Sequence, residues 1–354
     1  MDGVLRLSVL DQSPIAHGAT GADALGNTLD LARLTDALGY HRYWVAEHHG
    51  GPMLACASPE VLIGPIAAAT ERIRVGSGGV MLPHYSPLKV AESFSMLAGL
   101  SPGRIDLGIG RAPGTDQRTM LALQRDRRHG MVDDFPQQLA ELLGYLDGEL
   151  PAGHPFASLA RVLPGRPERP EPWLLGSSPQ SGLWAAELGL PYAFADFINA
   201  LGAPIAQDYH QRFQASMRLE NPRVAVAVWA VAAETDEEAL RLGASAKMAF
   251  TLLRRGQLVP VPPVETAIAF LEREGIPLDK VGQGRRTILG TPGRVRAEIE
   301  QVARDYGAEE AIVVTITHDH AARRRSYELI AEAFGCVPLG AAATPRAGDA
   351  CRPI

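Results

Sequence analysis

The chain has 354 residues, a formal net charge of −6 and 46% apolar residues, enough to bury a large core in a soluble, globular fold. An acidic balance with no basic cluster to override it argues against a nucleic-acid partner. No apolar run approaches the ~18 residues that span a bilayer, and the start of the chain lacks a basic segment followed by a hydrophobic one. Cys56, Cys336 and Cys351 are too widely spaced for a disulfide framework or a zinc site. The expectation is a cytoplasmic protein without membrane association or metal.

Short β-branched or apolar runs alternate with helical patterns along the chain. In order, the predicted strands are Leu5–Leu10, Tyr40–Ala46, Ile73–Leu82, Arg104–Ile109, Trp173–Leu175, Tyr192–Ala195, Val224–Val231 and Ala311–Thr317. Helical spacing appears between them, as in Val90, Phe94 and Leu97, and again after the last strand in Tyr327, Ile330 and Phe334. Ser58-Pro59-Glu60 and Thr235-Asp236-Glu237-Glu238 are helix-entry signals. Alternation of this kind means parallel strands joined by right-handed crossovers, and eight strands mean a closed (β/α)8 TIM barrel. An open dinucleotide-binding sheet would place a Gly-x-Gly-x-x-Gly turn after an early strand, whereas Leu10-Asp11-Gln12-Ser13-Pro14 contains no glycine.

Two connections are much longer than the rest. One follows strand 4 and ends in the proline-rich stretch Pro151–Pro172. The other follows strand 7 and contains Pro260-Val261-Pro262-Pro263 and Gly282-Gln283-Gly284-Arg285-Arg286. Both leave strand carboxyl ends, so both are expected to overhang the active face as lids or binding loops. The contiguous Arg323, Arg324 and Arg325 read as a solvated helix face. The chain reads as one domain over 1–336, with 337–354 a flexible tail.

Four segments carry chemistry. Tyr43-Trp44-Val45-Ala46-Glu47-His48-His49 ends a strand in an acid and two imidazoles, groups that exchange protons near neutrality. A plain strand-end pair bonded to loop backbone is the alternative. Adjacent residues of an extended chain point to opposite faces, so His48 and His49 are not expected to share a metal ion. In Val75-Gly76-Ser77-Gly78-Gly79-Val80-Met81-Leu82-Pro83, three glycines inside a strand suggest a flat group packed on bare main chain, or else a strand pinched for helix packing. Gly108-Ile109-Gly110-Arg111-Ala112-Pro113-Gly114-Thr115-Asp116 places an arginine among glycines past a strand end, an anion site. Leu175-Gly176-Ser177-Ser178-Pro179-Gln180-Ser181 opens a helix with small hydroxyl residues, which suits phosphate, although an ordinary N-cap explains one serine equally well. Together the last two segments could grip one phosphate at the barrel rim.

In this order and spacing, the four motifs resemble those of bacterial luciferase-like flavin-dependent oxidoreductases, in the single-chain branch known as luciferase-family oxidoreductase group 1. The resemblance is dense from about Leu7 to Phe197 and returns in the last strand and helix. It implies a two-component monooxygenase: reduced FMN from a separate flavin reductase, dioxygen, and a small organic substrate such as an aldehyde or ketone, reacting through a flavin 4a-peroxide. Gly78–Gly79 matches the family's cis peptide beneath the flavin ring. Arg111 and Ser178 match the phosphate-holding positions, with Gly110, Gly176, Ser177 and Ser181 beside them. His48 matches the family's acid–base histidine, with Glu47 and His49 expected to orient it or complete the strand end. His84 is placed in the same pocket by its position after Leu82-Pro83. The resemblance also implies a homodimer through the helices around Val61–Ala69 and Lys89–Leu100. Two alternatives keep the fold. One is a relative that uses a deazaflavin coenzyme for hydride transfer, which the phosphate site would serve equally. The other is a non-catalytic flavin-binding paralogue, against which the intact His48, His49, Arg111 and both insertion loops argue. One departure stands out: the light-emitting subunit of luciferase carries a reactive cysteine where this chain has Gly110, so light emission is not implied.

Overall fold

Each β-branched run forms a parallel strand in the computed structural model, which describes residues 5–111, 116–123, 133–279 and 285–338. The strands are β1 (Arg6–Asp11), β2 (Arg42–Val45), β3 (Arg74–Met81), β4 (Ile105–Gly110), β5 (Glu171–Gly176), β6 (Tyr192–Ala195), β7 (Val224–Ala232), β8 (Ile288–Gly290) and β9 (Glu310–Val314). Strands β1 to β7 pair in sequence, and β9 fits between β7 and β1. The result is the expected eight-stranded parallel barrel. The three-residue β8 pairs only with the far end of β7 and is an extra strand outside the ring; so short a run carries no periodicity to predict it from.

Helices cover the outside, among them α1 (Gly21–Leu38), α2 (Pro59–Ala68), α3 (Pro87–Leu100), α4 (Gln117–Leu123), α5 (Phe135–Asp147), α6 (Pro179–Glu187), α7 (Ala203–Arg212), α8 (Asp236–Arg254), α9 (Val264–Arg273), α10 (Pro292–Tyr306) and α11 (His320–Phe334). Among the described residues none is long and apolar enough to cross a membrane. Their ends follow local rules. Thr20 and Asp23 form a capping box at the start of α1, and Thr235 caps α8 as its sequence suggests. Gly39 ends α1 at φ 87°, and a Cβ there would lie 2.3 Å from the Val337 carbonyl oxygen. Both long connections contain helices: α4 and α5 after β4, and α8, α9 and α10 after β7. Of the expected tail, only 337 and 338 fall within the described residues.

The amino-terminal end of the barrel is closed by charge. Arg42 of β2, 2% exposed, donates from Nε to both oxygens of Glu310 on β9 and from Nη1 to Asp106 on β4 (2.7 Å) and Glu171 on β5 (3.2 Å). Burial opposes its charge, but the three carboxylates more than offset this and raise its pKa. Asp106 also accepts from Arg74 and from the Trp44 indole (2.9 Å). Trp44 meets Trp173 edge to face at 5.5 Å, one layer above the ion cluster. These aromatics form the floor of whatever lies higher in the barrel.

A second buried pair corrects the reading of the arginine run. Arg323 is 2% exposed and donates to Asp11 at 2.6 Å, and Asp11 also accepts from Tyr43 (2.5 Å) and the Ser13 amide (2.7 Å). Arg324 and Arg325 do lie at the surface, paired with Asp30 and Glu234. Consecutive helical residues are turned about 100° apart, so a run of like residues cannot all share one face. Burial pushes the Asp11 carboxyl up, but the Arg323 charge and the hydrogen bonds overcome it and leave the pKa below the usual value. Asp11→Asn leaves Arg323 buried without its counter-ion and is expected to destabilise the fold by about 3–5 kcal/mol in urea titration. Because the folded pKa is depressed, the pair's contribution is present above about pH 4 and is lost as the pH falls further. A loss under about 1 kcal/mol would show that the pair does not matter.

Candidate active site

The end of β2 separates its three titratable groups. The Glu47 carboxylate, fully buried, lies 2.7 Å from His49 Nε2, accepts from the Tyr85 hydroxyl (2.9 Å) and accepts from the Met81 amide (2.9 Å). It braces the carboxyl end of β2 to that of β3. His49 belongs to this brace and meets the His84 ring edge to face at 5.8 Å. His48 points the other way, onto the wall of a central cavity. Glu47 and His49 therefore bond each other, not His48: of the two expectations for them, they complete the strand end rather than orient His48. The alternation of an extended chain explains the split.

His48 also departs from neutral-pH titration. Burial, with a smaller contribution from the His49 charge, lowers its pKa to about 4. Its Nδ1 is buried with no hydrogen-bond partner. At pH 7 it is a neutral imidazole beside the cavity with one polar atom unmet.

The glycine-rich strand is bare where it faces the cavity. The Gly78–Gly79 peptide is cis, and the β3–β4 register shifts between Ser77 and Val80. A Cβ on Gly78 would lie 2.4 Å from Leu10 Cδ1 and 3.0 Å from Trp44 Cβ; one on Gly79 would lie 2.8 Å from the Gly108 carbonyl oxygen. Side chains are thus excluded by Leu10 and Trp44 of the cavity wall and by the β4 backbone, and the cavity meets main chain. Gly110 differs, because its Cβ would crowd the flexible end of Met81 and meet the Val80 carbonyl oxygen at an ordinary 3.8 Å.

At the rim, the half-exposed Arg111 pairs with Asp133 and lies over the Trp184 ring at 5.6 Å. Ser178 is the N-cap of α6, with its hydroxyl 3.4 Å from the Ser181 amide. The Ser181 hydroxyl is already engaged, 2.7 Å from the Ser178 carbonyl and 2.9 Å from the Tyr192 hydroxyl. It would sit 2.2 Å from a Cβ at Gly176, which explains that glycine. Ser177 and Ser178 remain at the mouth with the amino terminus of α6.

One cavity of about 570 Å³ gathers these groups. His48, Gly78, Gly79, His84, Gly110, Arg111, Gly176, Ser177, Ser178 and Ser181 all line it; Glu47 and His49 do not. Its size falls within the range of small-molecule sites, ~300–1,000 Å³. Trp44 forms part of its wall, with Phe197 and Trp184 higher up. The sequence reading missed Asp133, Trp184 and Phe197; only Asp133 carried a signal, the Asp133-Asp134-Phe135-Pro136 helix entry. Ala112–Thr115 of the arginine motif lie outside the described residues. No metal-binding cluster occurs among the described residues.

Comparison with known proteins places the chain. The family model described as luciferase-like monooxygenase matches residues 5–310. A luciferase-like monooxygenase of Escherichia coli K12 is 42% identical over 332 residues, 93% of this chain and 96% of the relative. An N-acetyl-S-alkylcysteine monooxygenase of Bacillus subtilis is 39% identical over 333 residues, 93% and 98% of the two chains. Among solved structures, apo-MsnO8 is 41% identical with a TM-score of 0.85, covering 94% of this chain and 98% of its own. The oxygenating constituent of 3,6-diketocamphane monooxygenase from Pseudomonas putida, in complex with FMN, shares the fold at 19% identity and a TM-score of 0.70, over 93% and 97% of the chains.

The His48 environment makes a measurable difference. Imidazole NMR of the ligand-free protein is expected to show a midpoint near 4. The native state then binds this proton less tightly than the unfolded chain, so stability declines as the pH falls from about 6.5 towards 4. A midpoint near 6.5 would mean that the side chain is solvated.

Proposed function

The chain belongs to the luciferase-like monooxygenase family, and from that premise we propose that it is an FMN-dependent monooxygenase of the two-component type. It would receive reduced FMN from a separate flavin reductase and use dioxygen on a small organic substrate. The observation that carries this reading is a single cavity with main chain bared at Gly78–Gly79 and a cation beside a helix amino terminus at its rim. A flat ring with a phosphate tail fits that division. At the glycines there is no room for a side chain, and Arg111 with Ser177 and Ser178 would hold the phosphate.

Bound in reduced form, the flavin would supply the electrons that activate dioxygen. The protein's own contribution is position, dryness and one proton site. Asp133 holds the Nε–Nη2 edge of Arg111, so an incoming phosphate would share or displace that carboxylate. The Glu47 brace fixes the peptide at Met81 and, through it, the glycine strand. His48, neutral at pH 7, would accept a proton or donate a hydrogen bond, but would not act as a cationic acid. Asp133, Asp134 and Phe135 line the cavity from the insertion after β4 and wall off solvent on that side.

The test is equilibrium binding of reduced FMN, FMN, riboflavin and a deazaflavin coenzyme under anaerobic conditions. Arg111→Ala is expected to weaken FMN at least about tenfold and leave riboflavin unchanged. Equal loss of both would remove the phosphate role. Preference for the deazaflavin would move the reading to hydride transfer without oxygen.

A homodimer belongs to the same proposal. Val61 (70% exposed) on α2, and Met96 (54%) and Leu100 (79%) on α3, stand out on the helices that the resemblance assigns to the interface. Ala67 instead packs inward on this chain's own barrel. Light scattering at micromolar concentration is expected to give twice the chain mass; a monomer mass would refute it.

A further inference from the structure

A second cavity of about 320 Å³ lies beside the first, between the far end of β7 and the insertion that follows it. Ala227 and Trp229 belong to one inward-facing cluster, yet Ala227 lines the central cavity and Trp229 the second. The two spaces are therefore only two residues apart along β7, roughly 7 Å.

The second cavity is chemically lopsided. Trp229 and Phe250 of α8 meet edge to face at 4.7 Å and form an aromatic wall. The half-buried Arg285 guanidinium lies over Phe250 at 5.1 Å, and Arg254 lines the same space. Neither arginine forms an ion pair with any described residue. Its neighbour Arg286 does, donating to Asp196 at 3.0 Å and closing against β6. Burial and the Arg254 charge both work against ionisation of Arg285. Asp279 and Arg294 also line the cavity, Arg294 being paired with Asp236 and Glu298. At the opposite end, Lys247 is committed to the Pro277 and Leu278 carbonyls, with the Asp279 charge nearby. One further polar group is unmet: Trp229 Nε1 is buried with no acceptor. A half-buried guanidinium with no ion pair among the described residues, the exposed Arg254 beside it and an aromatic wall suit an anionic acceptor joined to an apolar body.

We propose that this second cavity is an anion-recognition subsite that takes the carboxylate of an organic acid. Arg285 and Arg254 hold the carboxylate, and Trp229 with Phe250 packs its apolar portion. As a statement about substrate it rests on the flavin-dependent reading above, and on Ala227 and Trp229 standing two residues apart on the inward row of β7, one at each cavity. An organic acid, rather than a neutral aldehyde or ketone, is then the substrate class.

Calorimetric titration of the full chain with octanoate and with 1-octanol tests this, since the two probes share an apolar body and differ in charge. Octanoate is expected to bind at least about tenfold more tightly. In Arg285→Gln and Arg254→Gln together the preference should fall to within about twofold, with octanol binding and FMN affinity unchanged. Equal binding of the two probes to the unsubstituted protein would overturn the proposal, as would a preference that survives both substitutions. Competition between octanoate and FMN would also overturn it, by placing the acid on Arg111. A protein that keeps the octanoate preference but binds no flavin would refute the flavin reading while leaving the anion site standing.

Discussion

The buried Arg42 guanidinium is the constraint on which much of the barrel depends. A charge this deep is tolerable only if fully paired, and its partners come from three other strands: Glu310 of β9, Asp106 of β4 and Glu171 of β5. The pairing ties four of the eight barrel strands into one register at the amino-terminal end. Asp106 passes the constraint upward by accepting from the Trp44 indole. A Cβ on Gly76 would fall 2.6 Å from Asp106 Cβ and 2.9 Å from the Trp44 nitrogen, and one on Gly78 would strike Trp44 itself. Gly76 and Gly78 of β3 thus follow from the aromatic floor, and the aromatic floor from the ion cluster.

At the other end of the barrel, structure and chemistry divide between neighbouring residues. Glu47 and His49 turn away from the cavity and brace β2 to β3, while His48 looks onto the cavity with a depressed pKa. Ser181 locks α6 to Tyr192, and Ser178 stays at the mouth. In each case the side chain spent on the scaffold fixes the one left for a ligand. The two insertions divide in the same way: the one after β4 supplies Asp133 at the larger cavity, and the one after β7 supplies Arg254 and Arg285 at the smaller one.

Much of this was legible in the chain itself. Strand–helix alternation with eight β-branched runs dictates a parallel barrel, because periodicity and crossover handedness are local properties that survive into the fold. The strand-end motifs around His48, Gly78–Gly79, Arg111 and Ser178 were legible for a related reason, since a barrel's carboxyl ends converge on one face whatever lies between them.

Other features depended on contacts between residues far apart in sequence. No local pattern shows that Arg323 is buried against Asp11 while Arg324 and Arg325 are solvated, that Glu47 serves His49 rather than His48, or that burial leaves His48 neutral at pH 7. Nor does it show that Arg285 and Arg286 part company, one to Asp196 and the other to an aromatic wall. Sequence by itself determined the architecture and the face on which the site stands. Tertiary structure decided which of two adjacent side chains meets the cavity and what charge it carries there, because facing, desolvation and ion pairing are set by neighbours that only folding brings together.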